Sequence, residues 1–395
     1  MHSCRLCHHD SLELTIDFGM QPIVHNLMRS PDEATALYPF KLASCRICGF
    51  LQLVDFIEPD ILYKNYFTIS AWKSQPHVPR LLDEIEQIYH LHAGTRILEI
   101  GCNDGTFLEQ LRARGYGELI GVEPTEDAFS LAQKRNLHVY RDFFDTTFVQ
   151  KELASQKKFD LIVTRQVLEH IGDLADFMGC AREVLVDGGG LVIEVPDCGM
   201  NLESLDYALW EEHPNYFTLN TLRMLVERSG FVVVHHEATL FSGKAILLFA
   251  IKANARDWPL TPFDQPAIDN YRASWPLLRA AMRNHIEAMD AKVYVYGCGA
   301  RSSTVVNFMG MGDLIECYVD DQPEKQEKYV PGSRLAIRPF DETMRIGSFF
   351  LLGVNTENER KAIGKRGLSH HDVMSILPPS RLLPHYWSAL AKRAG

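Results

Sequence analysis

Glu99, Gly101, Asn103, Gly105 and Glu123 are the residues of this chain whose types and spacing most directly suggest chemistry. Gly101 and Gly105 let the backbone turn tightly and let a ligand approach where a Cβ would intrude. Glu123 follows Gly101 by 22 positions, a spacing that suits a carboxylate gripping the two hydroxyls of a ribose. Asn103 stands where a dinucleotide fingerprint has its second glycine, which counts against a pyrophosphate resting on the helix that follows. Glu99, just before the turn, suits a cofactor with a cationic amino-acid tail. The set therefore points to S-adenosyl-L-methionine rather than NAD.

Cys4, Cys7, Cys45 and Cys48 form a second group, two Cys-x2-Cys pairs near the N-terminus. Two such pairs close a tetrahedral thiolate site around one zinc ion, with Gly49 easing the turn after the second. Two disulfides, or chance pairs in an ordinary core, are the alternative readings. His8 and His25 are possible substitute ligands, though four cysteines make them unnecessary. A closed four-thiolate site leaves no open position, so this zinc is read as structural.

A third group is acid–base in character. Arg165 and His170 follow the fourth apolar strand of the middle region, on the rim where ligands sit in open α/β sheets. His170 has a plainer reading as a residue that packs or caps the next helix. Trp210-Glu211-Glu212-His213-Pro214-Asn215-Tyr216-Phe217 is the stronger candidate, because a carboxylate beside a histidine can orient and polarise the imidazole as a base. Its plainer reading is a surface approach in which Pro214 ends a turn.

These groups need elements to hold them. Ile97, Leu98 and Ile100 make a buried strand, and Phe107, Leu108 and Leu111 fall at helical spacing after the turn. Strands are expected at Arg96–Ile100, Leu119–Glu123, His138–Arg141, Phe159–Thr164 and Gly190–Val195. Their alternation with helical stretches predicts an α/β fold, a doubly wound parallel sheet. Phe231–His236 and Lys244–Ile251 read as an antiparallel hairpin closing that sheet. Leu81, Leu82, Ile85 and Ile88 give a helix before it. After a Pro- and Trp-bearing linker at 257–266, a helical stretch from Tyr271 to Met289 is expected to kink or break at Pro276. Lys292–Ala300 and Ile315–Val319 then begin a second Rossmann-like unit, with Gly297 and Gly299 present but Ser302 at the third glycine position. The division expected is 1–62, 63–253 and 254–395.

At 395 residues the chain has room for two or three domains, and 46% hydrophobic with 23% charged residues is ordinary for a globular protein. A net charge of −11 argues against a nucleic-acid partner, which needs a basic surface. No apolar run approaches a membrane span and no signal peptide is evident, so the nine cysteines read as reduced thiols of a cytoplasmic protein.

Taken together, the chain resembles the sugar C-methyltransferases of deoxysugar biosynthesis. The residues that carry the likeness are Cys4/Cys7, Gly19-x-Gln21-Pro22 with Asn26, Cys45/Cys48-Gly49 and Glu99-Ile-Gly-x-Asn-Asp-Gly105. Asp142-Phe143-Phe144, Glu212-His213 with Tyr216-Phe217, and Asp320 through Tyr329-x-Pro331-Gly332 continue it. The resemblance implies a zinc-knuckle domain, a class I S-adenosylmethionine-dependent core and a Rossmann-like substrate-binding domain. It implies that Gly101 and Gly105 make room for the methionine tail and ribose, with Asn103 in the same turn. Glu99 would lie near the ammonium or sulfonium, Glu123 at the ribose, and Asp142 and Phe143 at the adenine. Arg165 joins the cofactor set. The implied reaction is methylation of a sugar carbon beside a 4-keto group, with His213 as base, Glu212 supporting it and His170 nearby. The implied partner is a nucleotide sugar, with Arg301, Lys325 or Lys328 near its diphosphate, and the chain is expected to be a monomer or weak homo-oligomer.

One departure stands out. The family shows Tyr-His-Glu-His where this chain has Trp210-Glu211-Glu212-His213, so a phenol and an imidazole are missing. Indole N–H can donate one hydrogen bond but cannot exchange protons as a phenol does. Tyr66 or Tyr216 is expected to supply a hydroxyl instead. An O- or N-methyltransferase, an NAD-dependent enzyme using Gly297-x-Gly299 and Asp320, and a non-enzymatic zinc adaptor remain alternatives.

Overall fold

Near-continuous apolar runs make parallel strands that must be covered on both faces, and this chain builds two such sheets with a smaller antiparallel one before them. The computed structural model describes residues 3–58, 61–62, 75–240, 243–254 and 258–391. The N-terminal sheet is formed by β1 (Leu12–Pro22), β2 (Leu37–Cys45) and β3 (Leu51–Leu53), joined antiparallel in that order.

The central sheet begins with β4 (Arg96–Ile100), β5 (Glu118–Val122), β6 (Val139–Tyr140), β7 (Phe159–Arg165) and β8 (Leu185–Pro196). All five run parallel, and β4 lies between β5 and β7. Leu98 and Ile100 enter the core on one face and Ile97 the core on the other, as alternating side chains must. Chain order reverses at β4, so the crevice for a ligand opens at the C-terminal ends of β4 and its neighbours. Helix α1 (Val78–Tyr89) covers one face with Val78, Leu81, Leu82 and Ile85, and α2 (Thr106–Ala113) starts directly from the Gly105 turn.

The next strand, β9 (Asn215–Tyr216), pairs with β3 and not with the central sheet, Leu51 opposite Tyr216 and Gln52 opposite Asn215. The hairpin β10 (Phe231–Leu240) and β11 (Lys244–Lys252) then closes the central sheet, with β11 antiparallel between β8 and β10. Both β8 and β10 run several residues beyond the expected bounds, since polar and glycine positions hide strand from a purely apolar pattern.

Helix α3 (Gln265–Glu287) runs through Pro276 without a break. Its apolar face is continuous across the proline, with Ile268 and Tyr271 buried before it and Leu278, Met282 and Ile286 after it. That packing outweighs the lost hydrogen bond. The C-terminal sheet is fully parallel, ordered β14-β13-β12-β15-β16, from β12 (Lys292–Tyr296), β13 (Cys317–Val319), β14 (Ile337–Arg338), β15 (Ser348–Leu352) and β16 (Val373–Ser375). No helix among the described residues is long and apolar enough to cross a membrane.

Candidate active site and metal centre

The two cysteine pairs converge. Cys4 Sγ lies 3.6 Å from Cys48 Sγ, and Cys7 Sγ lies 3.6 Å from Cys45 Sγ. All four sulfurs fall within 4.8 Å of one another and all four residues are buried. A zinc ion with ~2.3 Å bonds to four tetrahedral thiolates needs sulfurs roughly 3.8 Å apart, so the cluster fits the metal. The two knuckles share one turn: the amides of His8 and Gly49 donate to the carbonyls of Cys4 and Cys45, at 2.8 Å each. His8 and Gly49 both have positive φ there. His8 is therefore a turn residue with an exposed side chain, and not a ligand.

At the β4 turn, Glu99 is buried with its Oε1 3.4 Å from Arg165 Nη2 and its Oε2 without a hydrogen-bond partner among the described residues. Burial drives its carboxyl up to about 8, with Arg165 pulling the other way. A bound ammonium would meet that orphaned oxygen. Arg165 also donates to Gln75 Oε1 at 2.7 Å and lies 4.3 Å over the Phe107 ring. Its position is that of a counter-charge behind Glu99.

Glu123 accepts from the Asn103 amide at 3.0 Å and the Thr125 amide at 2.9 Å, which ties the end of β5 to the turn. Asn103 carries φ of 49°, and the glycines on either side of it 70° and 78°. A Cβ on Gly101 would lie 2.3 Å from Val167 Cγ2, and one on Gly105 2.3 Å from Leu137 Cδ1. This corrects the expected role of both glycines. The space a side chain would take is filled by the protein itself, so glycine is required there by turn shape and packing and not by ligand clearance. Asp142 accepts from its neighbour's amide at 2.9 Å, and the Phe143 ring is 45% exposed after β6, as a platform for a flat base would be.

The acid–base group lies across the β7 and β9 ends. His213 stacks on Trp210 at 5.1 Å and meets the His170 ring edge-on at 4.7 Å. His170 Nδ1 lies 3.0 Å from the Glu212 carbonyl. A carbonyl only accepts, so the proton sits on Nδ1 and Nε2 is the basic nitrogen. Burial lowers both imidazoles below the usual histidine value, so both are neutral at pH 7.

The expected partnership of Glu212 with His213 is not what forms. Glu212 Oε1 lies 2.9 Å from His25 Nδ1, and Glu211 Oε1 accepts from the Val24 amide at 2.8 Å. His25 is thus occupied with carboxylates and is not a zinc ligand. The carboxyl grouped with His170 and His213 is instead Glu169, within 4.8 Å of both. Glu169 is 2% exposed, and burial pushes it up to about 8, so it is protonated at neutral pH. Tyr216 does not offer a spare hydroxyl, because its OH donates to the Trp210 carbonyl at 2.8 Å and accepts from the Trp210 amide at 3.2 Å. Tyr66 lies outside the described residues. Glu169 is the member that the sequence does not single out, and its local signal is that it neighbours His170. Glu211 is read there only as part of the Trp210–Phe217 segment, and His25 only as a substitute zinc ligand.

In the C-terminal unit, Arg301 is paired with Asp206 and donates to the Pro378 carbonyl at 2.8 Å and to Asn355 Oδ1 at 2.7 Å. Lys325 Nζ donates to the Cys298 carbonyl at 2.7 Å and lies 3.6 Å from Asp320. Arg301 is therefore a buried tie between segments and not a diphosphate ligand, and Lys325 is already engaged.

A zinc binding domain family matches residues 4–63, a methyltransferase domain family residues 68–236, and a C-methyltransferase C-terminal domain family residues 271–349. The chain is 28% identical over 374 residues to the C-methyltransferase NovU of Streptomyces niveus, covering 88% of each chain. It is 30% identical over 103 residues to a ubiquinone biosynthesis O-methyltransferase of Bradyrhizobium sp. (strain ORS 278), covering 26% of this chain and 40% of that one. Magnesium protoporphyrin IX methyltransferase from Synechocystis PCC 6803 aligns over 50% of this chain and 100% of its own, at 14% identity and TM-score 0.40.

Proposed function

We propose that this S-adenosylmethionine-dependent methyltransferase, which is matched by a zinc-binding, a methyltransferase and a C-methyltransferase C-terminal family model and is similar over 88% of its length to a C-methyltransferase, methylates a carbon beside the 4-keto group of a nucleotide-linked deoxysugar. The observation that carries this reading is a neutral His213 beside His170, on a segment that borders the cofactor crevice. Bound S-adenosylmethionine supplies an electrophilic methyl on a sulfonium. The residues that would hold it are Glu99 and Arg165 at the amino-acid end, Asn103 and Glu123 at the ribose, and Asp142 and Phe143 at the base.

The protein's own part is proton handling. His213, uncharged at neutral pH, takes the carbon-bound proton, and the charge moves onto the keto oxygen. A donor at that oxygen supplies the largest electrostatic stabilisation. Trp210, through its indole N–H, and Tyr66 are the groups assigned to it. His170, with its proton held by the Glu212 carbonyl, has Nε2 as its basic nitrogen and lies edge-on to the His213 ring. The engaged hydroxyl of Tyr216 favours a second reading, an O- or N-methyltransferase on a related metabolite, since heteroatom methylation needs a base but no enolate donor.

Product analysis separates the two. UDP-, GDP- and dTDP-linked 4-keto-6-deoxyhexoses would be incubated with protein and methyl-13C S-adenosylmethionine, and products read by mass and carbon NMR. A methyl resonance coupled to a ring carbon is expected. An O-linked or N-linked methyl would establish the second reading.

A further inference from the structure

The segment that carries His213 is held from the N-terminal domain. Asn215 and Tyr216 are a strand of its sheet, Leu53 N and Arg5 Nη1 both donate to the Pro214 carbonyl at 3.0 Å, and Val24 N donates to Glu211. Glu211 and Glu212 are consecutive carboxylates only 6% and 4% exposed. Two buried carboxylates side by side repel strongly unless a cation or a proton is shared between them. The cation facing them is His25, from the loop after β1, at 2.9 Å from Glu212 and 4.0 Å from Glu211.

We infer that His25 is a positioning residue of the methyl-transfer site: by gripping Glu212 it fixes the carbonyl that holds His170, and through His170 the ring of His213. The zinc-binding domain thereby contributes a part of the active centre. This rests on His213 as the base. The chain of contacts is continuous, from the His25 ring to the Glu212 side chain, then from the Glu212 carbonyl to His170 Nδ1, then edge-on to His213. Groups behind a basic imidazole commonly set its tautomer and orientation in this way. Glu212 Oε2 has no hydrogen-bond partner among the described residues, so loss of His25 strips that carboxylate of the donor that holds it. Glu211, pushed up to about 7 by burial and by the charge of Glu212, shares in the proton balance.

The pH consequence has a definite sign. Burial pulls His25 down, but its hydrogen bond to Glu212 and the two carboxylate charges hold it above the ordinary histidine value. Its grip as a cation is therefore complete below ~6.5 and is lost as pH rises through the raised value.

The test uses full-length zinc-loaded protein with 15N-labelled histidine, comparing wild type, H25A, H25N, E212Q and H213Q. Ring-nitrogen NMR reads tautomer and titration without any substrate. Methyl transfer to dTDP-4-keto-6-deoxyglucose is followed from pH 5.5 to 9. In wild type, His170 is expected as the Nδ1–H tautomer, with an alkaline change that tracks His25. In E212Q the His25 titration should fall toward the ordinary value. H25A should scramble the His170 tautomer and lower kcat by up to ~100-fold, the scale of a 1 Å misplacement, with S-adenosylmethionine affinity and zinc content unchanged. H25N, whose amide can donate to Glu212, should recover rate but not the alkaline limb. His170 and His213 signals in H25A and H25N that match wild type across the range would overturn the inference. Should H25A not fold, an unaltered alkaline limb in H25N overturns it alone. A wild-type rate in H213Q would instead sink the base assignment, whatever His25 does.

Discussion

Replacing His213 by Gln is expected to slow methyl transfer by about 100- to 10,000-fold, the usual worth of a positioned general base, while leaving S-adenosylmethionine affinity within a factor of two or so. The asymmetry follows from geometry. Glu99, Asn103 and Glu123 sit on the β4 and β5 ends, whereas His213 belongs to the segment paired with the N-terminal sheet. Glutamine keeps a planar polar group against Trp210 but cannot accept a proton. Because burial and the neighbouring His170 hold His213 well below the usual histidine value, the base form persists into mildly acidic solution. The rate should therefore stay flat from neutral pH downward through ~6.5 and fall only as pH drops through the lowered value. Single-turnover transfer with labelled cofactor and calorimetry of cofactor binding measure the two arms. A variant that lost both rate and affinity would mean that His213 supports the cofactor crevice instead.

Removal of zinc is expected to have an effect as large on activity by a different route. Structural zinc in small domains is worth roughly 10–16 kcal/mol of apparent binding free energy, which is folding free energy for the residues around it. Here those residues include the β2–β3 turn, whose second knuckle, Cys45 and Cys48, links β2 directly to β3. β3 in turn holds β9, and the adjoining loop holds His25 against Glu212. A Cys45→Ser variant, or strong chelation, should therefore lose transfer almost completely and expose amides 12–53 and 211–217 to hydrogen exchange. Protection of β4, β5 and α2 should remain, and so should cofactor binding. Retained transfer after verified zinc loss would show that the knuckles are dispensable to the site.

Much of this was legible in the sequence because it is local. The Cys-x2-Cys pairs, the Glu99–Gly105 turn and the parallel strands each state their structure within a few residues, through glycine, apolar runs and spacing. β4 is legible to the residue, and the closing hairpin is legible as two apolar runs around a short polar turn. What was illegible is non-local. β9 is a polar dipeptide with no period of its own, and it becomes a strand only by pairing with Leu51 and Gln52. Glu212 was assigned to His213 because they are neighbours in sequence, yet in the turn before β9 its carboxylate faces His25. His25 reads in the sequence only as a spare zinc ligand and offers no signal of its contact with the carboxylates, since these partners lie 186 and 187 positions further on (211 − 25 and 212 − 25). The glycines were identified correctly as a turn, but the volume they leave belongs to Val167 and Leu137, which no spacing rule could reveal.

The proposal of carbon methylation through an enolate is tested most directly by hydrogen exchange at the sugar carbon. The dTDP-linked 4-keto-6-deoxyhexose, or whichever nucleotide-linked form proves to be methylated, would be held with the protein in deuterium oxide without S-adenosylmethionine and followed by proton NMR. Loss of the signal beside the keto group, at a rate about 100-fold or more above that with H213Q, is the predicted result. No exchange above the buffer rate, with a sugar that the same preparation methylates, would contradict it.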